Sequence, residues 1–151
     1  MQWLRYSAGL AVVTGVSTAL AFTRGPSPAW APEAAIGSWR LVSAKANGKL
    51  SDFPAGTTIL KHVTPTDFIF VYYNTQGLIT VAGGGKYSLE GTHYEEAVQY
   101  GIGEGMAPLI GTTQVFTLRI EGGRWYQTGK ETDGTLIEEV WERVRPMGAR
   151  H

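Results

Sequence analysis

From Gly37 onward the chain never holds an apolar 3.6-residue period for three turns. Short runs rich in Val, Ile, Tyr, Phe, Trp and Thr recur instead, separated by turns that contain glycine. This is the pattern of strands, and it predicts an all-β fold. Strands are expected at 37–46, 57–63, 66–73, 77–90, 92–100, 113–121, 123–130 and 136–144. The segments Asn47-Gly48, Asn74 to Gly77, Glu90-Gly91, Gly122-Gly123 and Asp133-Gly134 supply the positive-φ positions that tight turns demand. Eight strands joined mostly by hairpin-length loops call for an antiparallel up-and-down meander. Closing it into a barrel removes the exposed sheet edges.

Two glycine-rich stretches qualify the pattern. Gly83-Gly84-Gly85 interrupts the fourth expected strand, either as a bend or bulge of the kind barrels use at corners or as a loop between two shorter strands. The one long connection, Gly101 to Thr112, mixes four glycines with Met106, Leu109 and Ile110. It is read either as a lid at a barrel mouth or as a surface loop tucking its apolar residues onto the barrel. Neither stretch is a nucleotide loop, because no βα unit or lysine-serine pair accompanies it.

The 151 residues are the usual size of one domain. With no cysteine, disulfides, thiolate nucleophiles and cysteine-based zinc sites are excluded. Thirteen basic residues balance thirteen acidic ones, giving no pull toward nucleic acid or anionic lipid. Before the strands, Arg5 precedes the charge-free run Ala8 to Ala21, and Ala19 and Ala21 form an A-x-A-like cleavage site. Residues 1–21 are therefore expected to be a signal peptide, with a secreted or periplasmic protein starting at Phe22. A second cleavage candidate, Ala29-Trp30-Ala31, is disfavoured by Pro32. The apolar run is shorter than the roughly twenty residues of a spanning helix, so no stable membrane insertion is expected after cleavage. Residues 22–35, rich in proline and alanine, read as a linker, leaving 36–146 for the barrel.

The stretch Gly37-Ser38-Trp39-Arg40-Leu41-Val42 resembles the first strand of the calycins, the lipocalins and fatty-acid-binding proteins. Thr64-Pro65-Thr66-Asp67-Phe68, Gly84-Gly85-Lys86-Tyr87 and Glu139-Val140-Trp141-Glu142-Arg143-Val144 follow in the order seen in the bacterial lipocalin-like domain family. The resemblance spans Ile36 to Arg145 and implies an eight-stranded calycin barrel. It also implies that Arg143 packs across Trp39 at the closed end, where a guanidinium over an indole face gains a cation–π contact. The chain departs from fatty-acid-binding proteins in two places. Only Asn47 to Gly56 separate the first two strands, too few for a two-helix lid, and Glu139 stands where those proteins commonly place an arginine that meets the ligand carboxylate.

Side chains alternate across a strand, so each strand offers one set to the lumen. The more aromatic sets are Phe68, Phe70 and Tyr72; Tyr94, Glu96, Val98 and Tyr100; Phe116, Leu118 and Ile120; Trp125 and Gln127; and Glu139 with Trp141. From these, Phe68, Phe70, Tyr72, Tyr94, Glu96, Tyr100, Phe116, Trp125, Gln127, Glu139 and Trp141 are expected to bind a small apolar or aromatic ligand. Lumenal glutamates suit a neutral or cationic molecule and repel an anionic one. A rival reading is a barrel enzyme, a cyclase or isomerase moving protons with Glu96, Glu139 or Tyr94. A third is a structural or inhibitory module acting through its outer surface. No cofactor is expected, and His62 and His93, two strands apart, make a poor metal or haem site. Ligand identity and oligomeric state are not legible.

Overall fold

The computed structural model describes residues 32–131 and 133–145. The signal segment and most of the expected linker lie outside them. The described residues form a short 3₁₀ turn, η1 (Pro32–Ala34), and nine strands: β1 (Gly37–Ala46), β2 (Lys49–Leu50), β3 (Thr58–Val63), β4 (Asp67–Tyr73), β5 (Ile79–Glu90), β6 (His93–Ile102), β7 (Thr113–Glu121), β8 (Arg124–Lys130) and β9 (Leu136–Arg143). All eight expected strands are present, and β2 is a two-residue addition that pairs back on the end of β1. Strands β1 and β3 to β9 pair antiparallel in chain order, and β1 pairs with β9 to close the barrel. The hairpin turns use the expected residues: Gly122 and Gly123 both take positive φ, at 58° and 76°.

The closed end is filled by large side chains. Trp39, Trp125, Tyr94 and Phe68 are among the largest fully buried residues. Trp125 meets Trp39 edge-on at 5.3 Å between ring centroids and Tyr94 at 5.1 Å. The Arg143 guanidinium lies 4.2 Å from the Trp39 ring centroid, and its Nη1 and Nη2 donate to the carbonyls of Ile36 (2.8 Å) and Ala34 (2.5 Å). Trp39 Nε1 donates to Ala35 O at 2.8 Å. The last residues assigned to a linker are thus part of the fold, and Ala35 is wholly buried. Arg143→Ala is expected to lose about 1–3 kcal/mol through lost stacking and two uncapped carbonyls. Arg143→Lys should recover little, because an ammonium cannot serve both carbonyls in a fixed fork. Denaturant unfolding reads both; an unchanged midpoint for Arg143→Ala would refute the assignment.

The glycine triplet lies within a continuous β5 and faces a bulge in its partner: Gly84 pairs with Tyr100 and Gly85 with Val98, leaving Gln99 as the extra residue of β6. A β-carbon on Gly85 would sit 1.9 Å from Ala97 O, so only glycine fits there. The bulge inverts the alternation of β6 beyond Val98. Tyr100, expected in the lumen, is therefore turned out and half exposed, and Gly101 takes the inward place.

That inversion also decides the long connection. A β-carbon on Gly83 or on Gly101 would lie 2.4 Å from Met106 Cε, so the two glycines form a notch that the buried Met106 fills. The loop is held further by Gly111 N donating to Val98 O (2.8 Å) and Val98 N donating to Thr112 O (3.0 Å). Met106 and Leu109 tuck onto the barrel and cover one end of the lumen, whereas Ile110 is exposed.

Candidate functional site

Above the aromatic floor lies a lumenal cavity of about 100 Å³ lined by Lys61, Phe70, Tyr72, Glu96, Val98, Leu109, Gln114, Phe116, Gln127, Glu131, Ile137, Glu139 and Trp141. It adjoins a mouth cleft of about 400 Å³ whose walls are Phe70, Tyr72, Val81, Glu104, Gly105, Met106, Pro108, Leu109, Glu131 and Asp133. Phe70, Tyr72, Leu109 and Glu131 belong to both, so the Met106 loop stands between lumen and exterior. Phe53, from the connection after β2, packs edge-on against Tyr72 at 6.0 Å and narrows the same end. No helix lies between β1 and β3. A larger hollow of about 820 Å³ lies against the outer wall and closed end, lined by residues such as Arg40, Leu60, Tyr73 and Glu142. Its Arg40 and Glu142 already pair with each other, whereas buried polar side chains converge on the lumen.

Of the residues expected to meet a ligand, Phe70, Tyr72, Glu96, Phe116, Gln127, Glu139 and Trp141 line the cavity. Phe68, Tyr94 and Trp125 do not. They point inward as expected but are consumed as the floor, because their strand positions fall in the closed half where rings pack on rings. Tyr100 is outside for the reason given above.

Sequence reasoning did not name Lys61, Val98, Leu109, Gln114, Glu131 or Ile137 as ligand contacts, and Lys61 is the one at the centre of the polar network. It shares the inward face of β3 with Ile59 and Val63, a pattern visible in the sequence as Ile-x-Lys-x-Val. Lys61 is 3% exposed. Burial of a charge is tolerable only with a partner, and its Nζ lies 2.6 Å from Glu96 Oε1. The ammonium also faces the rings of Trp141 (4.8 Å to the centroid), Trp125 (5.3 Å) and Tyr94 (5.8 Å), within cation–π range.

A hydrogen-bonded chain connects this pair to the second glutamate. Tyr94 Oη donates to Glu96 Oε1 at 2.8 Å. Trp125 Nε1 donates to Gln127 Oε1 at 2.7 Å, and Lys61 Nζ approaches the same oxygen at 3.5 Å. Gln127 Nε2 then donates to Glu139 Oε2 (2.9 Å), which also accepts from Trp141 Nε1 (3.0 Å). Donors on one side and an acceptor on the other set the Gln127 amide in one orientation.

These contacts assign different states to the candidate proton carriers. Burial, followed by the charge of Glu96 and the hydrogen bond to it, pushes the Tyr94 phenol well up, so Tyr94 is a fixed donor and not a base. Burial also pushes the Glu139 carboxyl up, against the pull of Lys61 and with the repulsion of Glu96. Near the mouth, burial and then Asp133 raise Glu131. A carboxyl raised in the folded state binds its proton more tightly there than in the unfolded chain, so it costs stability as pH climbs above the ordinary carboxylate range. Glu139→Gln keeps an oxygen for both donors and removes the titration. Its stability relative to wild type is expected to rise between about pH 4 and pH 7, read from urea midpoints across that range. Parallel profiles would contradict the raised carboxyl.

The two histidines stand apart from the lumen. His62 Nδ1 bonds Ser38 Oγ at 2.8 Å, and His93 Nε2 pairs with Glu95 at 2.8 Å on the exposed surface. Among the described residues no group of three metal-binding side chains gathers.

No protein-family model matches this sequence. No curated protein matches it either. Among solved structures, a lipocalin-like protein from Bacteroides uniformis superposes with a TM-score of 0.52 at 13% identity, covering 74% of this chain and 99% of that one. A mutant of the fluorescent protein UnaG matches with a TM-score of 0.41 at 13% identity, over 76% of this chain and 99% of that one. The first likeness gives the fold, a lipocalin-like β-barrel.

Proposed function

We propose that this barrel binds a small apolar or aromatic molecule in its lumen and works as a carrier or sequestering protein outside the cytoplasm. The observation that carries the reading is the convergence of Phe70, Tyr72, Phe116 and Trp141 with three carboxylates, Glu96, Glu131 and Glu139, on one cavity behind a docked loop. Such a mixture of aromatic wall and few polar hooks is the usual make-up of a ligand site. The lumen alone, at about 100 Å³, holds only a compact group. A larger ligand needs Leu109 and Met106 to swing away and join it to the mouth. Native mass spectrometry of protein purified from its own host tests the reading: a co-purified small molecule released on unfolding supports it. Empty protein that also fails to quench tryptophan fluorescence with any aromatic probe would refute it.

Export belongs to the same proposal and is supported by the sequence of residues 1–21. N-terminal sequencing of secreted material should begin at Phe22; a start at Met1 would sink it.

The raised Glu139 carboxyl favours a second reading, proton transfer on a lumenal substrate. Glu96 is paired with Lys61 and bonded by Tyr94, whereas Glu139 accepts only neutral donors, from Gln127 and Trp141, in the hydrogen bonds described above. Turnover that follows pH and vanishes in Glu139→Gln would establish it.

A further inference from the structure

Resting on the lumenal binding reading above, we infer that the ligand is an organic cation, a small ammonium on an aromatic or branched apolar body. The lining of the lumen and its mouth carries five carboxylates, Glu96, Glu104, Glu131, Asp133 and Glu139, and a single cation, Lys61. Lys61 is already matched to Glu96. The path from solvent to the aromatic wall is therefore acidic all the way in, with Glu104, Glu131 and Asp133 at the entrance and Glu139 inside. Low-dielectric walls of one charge sign concentrate the opposite ion.

A second observation is independent of this charge count. Both bonds to Glu96 fall on Oε1, and both bonds to Glu139 fall on Oε2. Glu96 is 6% exposed, and both residues line the cavity. Two carboxylates lining one small space suit a donor with several protons, which an ammonium supplies and a carboxylate cannot. Phe70, Tyr72 and Trp141 provide aromatic surface at the same cavity, the environment in which a desolvated cation gains most. The entering charge would also offset the burial that holds Glu139 toward its neutral form.

The test is calorimetric titration of the purified protein, at neutral pH and low salt, with three probes of one shape: benzylammonium, benzyl alcohol and benzoate. The ammonium is expected to bind about tenfold or more tighter than the alcohol, the increment of one charge-assisted hydrogen bond, with benzoate weakest. Glu139→Gln should remove most of that advantage and leave the alcohol nearly unchanged. Glu131→Gln, at the mouth, should weaken the ammonium less, and half-molar salt should erase its effect. Alcohol or benzoate binding as tightly as the ammonium would overturn the cation assignment while leaving an aromatic-binding lumen in place. Binding of none of the three would overturn both. If Glu139→Gln does not fold, the wild-type ranking of the three probes still decides.

Discussion

Lys61→Met is expected to cost about 3–5 kcal/mol of folding free energy, the usual penalty for stranding one member of a buried ion pair. The variant leaves Glu96 in a site that is 6% exposed, with the Tyr94 hydroxyl still donating to it but its cation gone. The loss measures the isolation of Glu96 more than the worth of the pair. Lys61→Met combined with Glu96→Gln should therefore be far more stable than Lys61→Met alone. Tyr94 can still donate to the amide oxygen, and methionine fits among Tyr94, Trp125 and Trp141, which now surround the ammonium. Denaturant unfolding of both single variants and the double supplies the coupling energy, expected at about 2 kcal/mol or more. Additive losses would mean that the two charges do not depend on each other in the folded barrel. The same cycle bears on function, since a neutral lumen centre would leave Glu139 as the dominant charge facing the cavity.

Trp125→Ala should be comparably damaging, at about 3–5 kcal/mol. Trp125 is wholly buried and touches every part of the closed half: Trp39 and Tyr94 by ring edges, Lys61 by its face and Gln127 by its indole N–H. Deleting it opens a cavity between side chains held by three different strands, Trp39 on β1, Lys61 on β3 and Tyr94 on β6, which cannot collapse onto one another without breaking strand register. It also leaves Gln127 Oε1 with only the long contact to Lys61. Trp125→Phe retains part of the packing and loses the donor, so about 1–3 kcal/mol is expected for it. The order Ala, Phe, wild type in unfolding midpoint is the check. Near-native stability of Trp125→Ala would show that the floor is not the structural centre of the barrel.

Both predictions concern contacts made between strands far apart in the chain, and this is where legibility in the sequence ended. The period-two runs and glycine turns sufficed for all eight main strands and their order, because each strand's pattern is a local property. The inward faces of β4, β7, β8 and β9 were legible for the same reason, as was that of β6 up to Val98. Tyr100 was lost because the bulge at Gln99 comes from the near contact of Gly85 with Ala97, a meeting of two strands that neither strand's own pattern encodes. The division of inward aromatics into floor and cavity wall was likewise hidden, since alternation gives the direction of a side chain but not its height in the barrel.

What the sequence determined alone was the class of fold, its strand order and the inward direction of most side chains; the alternation with Ile59 and Val63 also points Lys61 inward, although the sequence reading did not single it out. What the tertiary structure decided was whether that lysine could be buried at all. Its partner, Glu96, lies 35 residues away, and until the barrel closes nothing offsets the cost of taking the charge out of water. The long loop followed the same rule: its glycines permit many paths, and only the notch made jointly by Gly83 and Gly101 selects the one in which Met106 covers the lumen. Local periodicity is set by the geometry of one strand, whereas pairing, height and burial energies are set by neighbours that the chain brings together only on folding.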